Sequence, residues 1–158
     1  MRKFQYILDN LPYSKPFLFV DKLISLTEYN IEGSYTFSED EYFYEGHFNG
    51  SPVTPGVILT ECMAQIGLVC FGIFLLNNES SGIENAALPE YKIALTNNNI
   101  DFYLPVLPGE TVRVISNKEY FRFNKLKCKV KMLNEKDEIV CKGVISGMIS
   151  GQDVRSFR

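Results

Sequence analysis

Tryptophan is absent from this 158-residue sequence, and histidine occurs once, at His47. The four cysteines, Cys62, Cys70, Cys128 and Cys141, are neither clustered nor spaced as C-x-x-C. One histidine and scattered thiols leave a zinc site without a ligand set, so no metal is expected. The same thiols, three of them inside apolar or alternating runs, read as free cysteines of a reducing compartment, and the expected location is cytoplasmic. A surplus of positive charge is also lacking, since the net charge is −3. Wholesale nucleic-acid binding needs such a surplus, so nucleic acid is not an expected partner, and an acidic partner has to dock on a local basic patch. No signal peptide is expected either: after Met1-Arg2-Lys3 the apolar stretch is broken by Asp9 and Pro12 before it reaches signal-peptide length.

What is present is enough apolar sequence for one core. With 46% hydrophobic and 22% charged residues, the chain reads as one globular domain over 1–158. A short helix is expected near Phe4 to Leu8, a strand from Phe17 to about Leu26, and a second strand from Ile31 to Phe37. Ser38 to Pro55 is acidic, aromatic and rich in Gly and Pro, and reads as an irregular loop holding His47. Thr54-Pro55-Gly56 then predicts a helix start, with Thr54 as N-cap and Pro55 at the first helical position. From Val57 to Leu76 the helix is apolar nearly all round and about as long as a bilayer is thick. Glu61 and Gln65 would be expensive in lipid, so no membrane span is expected and other structure has to wrap this helix. Asn77 to Leu88 reads as a loop. Alternating segments follow at about 92–96, 100–104, 110–123, 126–133 and 138–149, divided by turn signals at Asn97-Asn98-Asn99, Pro108-Gly109 and Asn134 to Asp137. Elements segregated in this order predict an α+β fold with an antiparallel sheet curled around a central helix.

Several residues carry potential chemistry. His47 lies in Gly46-His47-Phe48-Asn49-Gly50, where two glycines let the backbone turn sharply and bring the ring to a ligand; it reads as a base, or else as a packed or solvated histidine. Glu61 sits among Val57, Ile58, Leu59, Cys62 and Met63, where burial raises a carboxyl pKa and the nearby helix N-terminus lowers it. Its alternative role is a capping or salt-bridged glutamate. Gln65, four residues on, shares its helix face and can orient it. The unpaired N–H groups of Gly56 and Val57 make a site for a carbonyl oxygen, stabilising the negative charge that develops when a neighbouring C–H proton leaves. A base, an acid and a carbonyl clamp suffice for proton abstraction and elimination, and no Ser or Cys stands beside His47 as a nucleophile triad requires. Farther on, Lys125, Lys127, Lys129 and Lys131 alternate with Leu126, Cys128, Val130 and Met132, placing four lysines on one strand face. That face is either a docking surface for an acidic partner or a solvated edge guard.

Four ordered blocks carry a resemblance: Leu11-Pro12-Tyr13-Ser14-Lys15-Pro16-Phe17-Leu18-Phe19-Val20-Asp21, the run from Gly46 to Val57, Glu61-Cys62-Met63-Ala64-Gln65, and Phe102-Tyr103-Leu104-Pro105-Val106-Leu107-Pro108-Gly109-Glu110. Over about Ile7 to Ile149 the chain resembles the FabZ-type 3-hydroxyacyl-(acyl carrier protein) dehydratases. The resemblance implies the hot-dog fold and a catalytic pair, here His47 and Glu61, contributed by different subunits of a homodimer or higher homo-oligomer. It also implies substrate held as a phosphopantetheine-linked acyl chain on an acyl carrier protein. His47 would take the α-proton, Glu61 would help the β-hydroxyl leave as water, and the N–H groups near Gly56 and Val57 would face the thioester oxygen, with Gln65, Phe48 and Asn49 in support. No cofactor is implied. The expected product is a trans-2-enoyl thioester, in fatty-acid synthesis or a specialised polyene or polyketide pathway. The alternatives are a hot-dog acyl thioesterase and a non-catalytic acyl-binding hot-dog subunit. Asn49 departs from the family's usual proline, which makes a looser or differently bonded loop the expectation. Tyr13 departs from a common histidine, and Ser51, Asp101 and Leu104 depart from commonly basic positions, so either the docking surface has moved, for instance towards the lysine strand, or the partner differs.

Overall fold

The computed structural model describes residues 3–79 and 91–150. A short helix α1 (Gln5–Asp9) is followed by strands β1 (Lys22–Leu26) and β2 (Asn30–Thr36). Next comes a long helical element in three parts, α2 (Gly56–Ala64), a π-helical segment (Gln65–Cys70) and α3 (Phe71–Glu79). Strands β3 (Lys92–Phe102), β4 (Thr111–Arg122), β5 (Lys125–Leu133) and β6 (Ile139–Ser150) follow. All six strands form one antiparallel sheet in the order β1-β2-β4-β5-β6-β3, so β1 and β3 are its edges. This is the expected α+β arrangement of a sheet wrapped on a helix.

Period-two patterning explains the wrap. Leu126, Cys128, Val130 and Met132 of β5 and Val112 and Val114 of β4 turn inward and are buried, while the lysines of β5 lie on the other face. The helical element is the opposite layer: Cys62, Met63, Ile66, Cys70, Phe71 and Ile73 are fully buried. By length and composition Gly56–Asn78 could cross a membrane, yet it is mostly buried within the protein, as the core helix of such a fold is. The π-helical turn has a visible partner. The buried Ser116 hydroxyl on β4 donates to the Gly67 carbonyl at 3.1 Å, satisfying a group that a wider helical turn leaves available.

Four expectations are corrected. Phe17 to Val20 is not strand: the Phe19 N–H and the Phe17 and Phe19 carbonyls bond to side chains of the helix instead of to a neighbouring strand. Asn97-Asn98-Asn99 is not a turn, because β3 runs unbroken along β6 with one irregularity between Leu95 and Asn97. Ladder bonds to β6 override the turn preference of asparagine there. Thr54 does not cap the helix: its hydroxyl pairs with the Tyr44 hydroxyl at 2.6 Å, and the helix starts one residue later than expected, with Pro55 at the cap position and no side-chain cap bond. Asn77 to Glu79, expected as loop, is the last turn of α3, and the rest of that expected loop lies outside the described residues. Phe19 and Phe37 are fully buried and pack edge-on against Tyr35, so these aromatic residues are core.

Candidate active site

His47 is held from both sides by backbone. Its N–H donates to the Phe43 carbonyl at 3.1 Å, its own carbonyl accepts from Val53 N–H at 2.9 Å, and ring Nδ1 lies 2.8 Å from the Val53 carbonyl oxygen. A carbonyl oxygen can only accept, so in the neutral ring the proton sits on Nδ1 and the lone pair on Nε2. The following peptide, His47–Phe48, is cis, and the two rings stack with centroids 3.9 Å apart. Phe48 and Ser51 exchange reciprocal N–H to carbonyl bonds at 3.0 and 2.9 Å around a turn that needs Gly50 at φ +70°. Asn49 occupies the position of that turn which proline favours, and neither closing bond uses its N–H. Of the looser or differently bonded loop expected, the structure shows a closed turn.

Glu61 lies one turn into α2 with its carboxylate half-buried. Gln65, fully buried, donates from Nε2 to Glu61 Oε2 at 2.9 Å and to the Phe17 carbonyl at 3.1 Å, while its Oε1 accepts from Phe19 N–H at 2.7 Å. A single amide thus ties the carboxylate to the non-strand segment 17–19. Burial pushes the Glu61 pKa up, and the bond from Gln65 offsets part of that rise. Tyr13 is close enough to feel this carboxylate: burial first, and then the Glu61 charge, push its hydroxyl pKa upward.

At the helix start, Ile58 and Leu59 N–H both bond to the Pro55 carbonyl, and the N–H groups of Gly56 and Val57 precede the first intrahelical bonds. The space left by the missing side chain of Gly56 is occupied: the Phe102 ring lies 3.3 Å from where a Cβ would stand. Val57 is 76% exposed, and Phe48, Phe102 and Tyr103 are also exposed large side chains.

The structure therefore gathers His47, Phe48 and Asn49 in one loop that runs through Val53 into the helix start at Gly56 and Val57, and joins Glu61 to Gln65 one turn on. Among the described residues no hydrogen bond or ion pair connects His47 to Glu61 within the chain. Sequence reasoning missed the backbone of Phe17 and Phe19 as the anchor of Gln65, and Phe102 as the cover of Gly56. A glutamine on an otherwise apolar helix was the available signal for the first, since such an amide needs several partners.

A family model described as the FabA-like domain matches residues 11–143. The chain is 33% identical over 135 residues to the 3-hydroxyacyl-[acyl-carrier-protein] dehydratase FabZ of Ehrlichia canis, covering 82% of this chain and 85% of that one. The dehydratase heterocomplex ApeI:P from Xenorhabdus doucetiae is similar in structure, with a TM-score of 0.73 at 13% identity, covering 90% of this chain and 89% of that one. A thioesterase from Haemophilus influenzae is similar at a TM-score of 0.56 and 14% identity, over 82% of this chain and 77% of that one. At these identities the two structures speak for the fold alone. The extended match to the family model and the identity to a FabZ over most of its length decide the matter: this chain belongs to the FabA-like family, among the FabZ-type 3-hydroxyacyl-(acyl carrier protein) dehydratases of hot-dog fold.

Proposed function

We propose that this protein dehydrates 3-hydroxyacyl thioesters carried on an acyl carrier protein to trans-2-enoyl thioesters. The observation that carries the reading is the orientation of His47: with Nδ1 spent on the Val53 carbonyl, Nε2 is the basic atom, on a loop that leads directly to the N–H groups of a helix start. Nε2 takes the α-proton, and the electron pair of the breaking C–H bond shifts towards the thioester carbonyl, whose oxygen gains charge facing Gly56 and Val57 N–H. The pair then forms the double bond as the β C–O bond breaks, and Glu61 gives its proton to the departing hydroxyl, which leaves as water. Burial favours the protonated carboxyl that this step consumes, and Gln65 orients it. Phe48 and Asn49 fix the loop behind the base. The elimination calls on acid, base and carbonyl polarisation, without a redox or group-transfer step.

The working unit is a homo-oligomer in which His47 of one protomer meets Glu61 of another. Its support is that, among the described residues, His47 and Glu61 of one chain share no hydrogen bond, together with the position of β3 at the end of the described sheet and the exposed Val57, Phe48 and Phe102. A second copy that covers them removes a sheet edge and an apolar patch in one step. We place the protein in the cytoplasm, acting as one domain over residues 1–158. Product analysis tests the reading: a 3-hydroxyacyl thioester on a carrier protein gives enoyl product with no free thiol. Thiol release without enoyl product makes the protein a thioesterase, and binding without either product makes it an acyl-binding subunit.

A further inference from the structure

The outer face of the sheet carries a charge distribution that the reaction does not use. In a chain of net charge −3, the outward residues of β5 are Lys125, Lys127, Lys129 and Lys131. The β5–β6 register sets Lys131 directly opposite Lys142. Like charges directly opposite one another on a sheet are destabilising, and Asp101, opposite Lys142 on its other side, offsets this only in part, since three lysines share the region with one carboxylate. Glu119 stands 3.8 Å from Lys127 and 3.7 Å from Lys129, whereas among the described residues neither Lys131 nor Lys142 has an ion-pair partner within 4.0 Å. The same region forms a shallow depression of about 350 Å³ lined by Asp101, Asn117, Lys129, Lys131, Lys142 and Val144.

The depression lies close to the reaction site. Lys142 is paired in register with Asp101 of β3, and its Nζ sits 5.9 Å from the Tyr103 ring. The neighbour of both, Phe102, covers Gly56 at the helix start. From β5 to β3 is two strand spacings, about 10 Å. Pairing of two copies through the β3 edge leaves the outer face open, because edge pairing uses backbone groups in the sheet plane and not side chains above it.

We propose that Lys129, Lys131 and Lys142 on this outer face dock the acidic surface of the carrier protein that delivers the acyl thioester. The proposal rests on the dehydratase reading and adds to it where the carrier sits. An acidic protein surface matches the local charge, removes the repulsion between Lys131 and Lys142, and brings its tethered acyl group to the end of the sheet beside Gly56. Exposed charges of this kind act mainly on association, so the effect belongs in KM and in its salt dependence.

The test compares one 3-hydroxyacyl group presented on carrier protein and on free pantetheine, using Lys131→Glu/Lys142→Glu and the control Lys22→Glu/Lys136→Glu, which changes net charge equally elsewhere. The expected result is a fall of about tenfold or more in kcat/KM for the carrier-bound substrate, through KM, with a flattened salt dependence. Turnover of the pantetheine thioester and the behaviour of the control stay as in the wild type. Lys131→Gln/Lys142→Gln moves the same parameter in the same direction by less, without introducing new charge. Undiminished kcat/KM on the carrier overturns the docking face and leaves the dehydratase reading standing. Equal losses on both substrates overturn it too, by showing an effect on the fold. Wild-type protein inactive on both substrates overturns the dehydratase reading itself, and this proposal with it.

Discussion

Replacing Gln65 by leucine removes one amide and disturbs three groups at once. The Phe19 N–H, on a fully buried residue, loses its acceptor at 2.7 Å, the Glu61 carboxylate loses its donor at 2.9 Å, and the Phe17 carbonyl loses a bond at 3.1 Å that solvent can replace. Leucine fills a similar volume, so the cost is one of stranded polar groups and not of a cavity. A buried N–H left without a partner costs about 1–3 kcal/mol, and Phe19 N–H accounts for most of it. For a chain of this size each 1 kcal/mol lowers Tm by roughly 2–4 °C, so a central value of about 2 kcal/mol predicts a drop of roughly 4–8 °C. Thermal unfolding followed at one fixed protein concentration reads this. The chemical readout is separate. The bond from Gln65 lowers the Glu61 pKa against the upward push of burial, so its loss lets that pKa rise further. In the proposed mechanism Glu61 is the protonated acid, so the alkaline limb of the pH–rate profile is expected to move to higher pH in Gln65→Leu, while the maximal rate falls by about tenfold or more because the carboxyl is no longer aimed. A Tm within about 1 °C of wild type contradicts the energetic argument, being well below the roughly 4–8 °C it predicts. A lowered rate with an unmoved alkaline limb contradicts the assignment of Gln65 as a positioning residue for Glu61, since a purely structural defect has no reason to move a proton.

Three further outcomes follow from the same geometry. Glu61→Gln keeps the bond to Gln65 and removes a carboxyl whose folded-state pKa is raised; deprotonation opposes the fold as pH climbs from the unfolded carboxylate range through the folded value, so the variant melts above wild type at neutral pH and the two converge in acid. A lower Tm at neutral pH refutes this. Asn49→Pro suits the Phe48–Ser51 turn, whose closing bonds do not use the Asn49 N–H, and gains about 0.4–1 kcal/mol by restricting the unfolded chain; a variant less stable than wild type in chemical denaturation shows that the turn differs from the one described. Mixing His47→Ala and Glu61→Gln subunits, each inactive alone, restores turnover at one intact site per mixed dimer, and continued inactivity after subunit exchange argues that both groups serve the same protomer's site.

Legibility of the fold tracked how locally each element is determined. The alternation in β5 and the apolar helix are written in residues that meet one continuous inner surface, and both appear as read. Phe17-Leu18-Phe19-Val20 has the composition of a strand, but its backbone partners are Gln65 and Cys62, some 43 to 48 residues away, and no local pattern announces them. Asn97-Asn98-Asn99 erred in the other direction, since the pairing with Ser146, Ile145 and Val144 is decided by β6 and not by the asparagines. Thr54 offered a cap and used its hydroxyl on Tyr44 instead, because the 3-10 turn of Tyr42–Glu45 brings that phenol against it. In the site, His47, Glu61 and Gln65 were identifiable as residue types out of place in their surroundings. The tautomer of His47 was not, as it depends on where the Val53 carbonyl points after a turn. Phe102 over Gly56 belongs to the same class, a contact between segments 46 residues apart.

Enoyl formation is the decisive quantity. Folded wild type, His47→Ala and Glu61→Gln are each given a 3-hydroxyacyl thioester on carrier protein, and the enoyl chromophore and free thiol are followed together. The account predicts enoyl product from wild type, none above background from either variant, and no thiol from any. Near wild-type enoyl formation by His47→Ala contradicts the assignment of the base, and with it the mechanism built on the Val53-held ring.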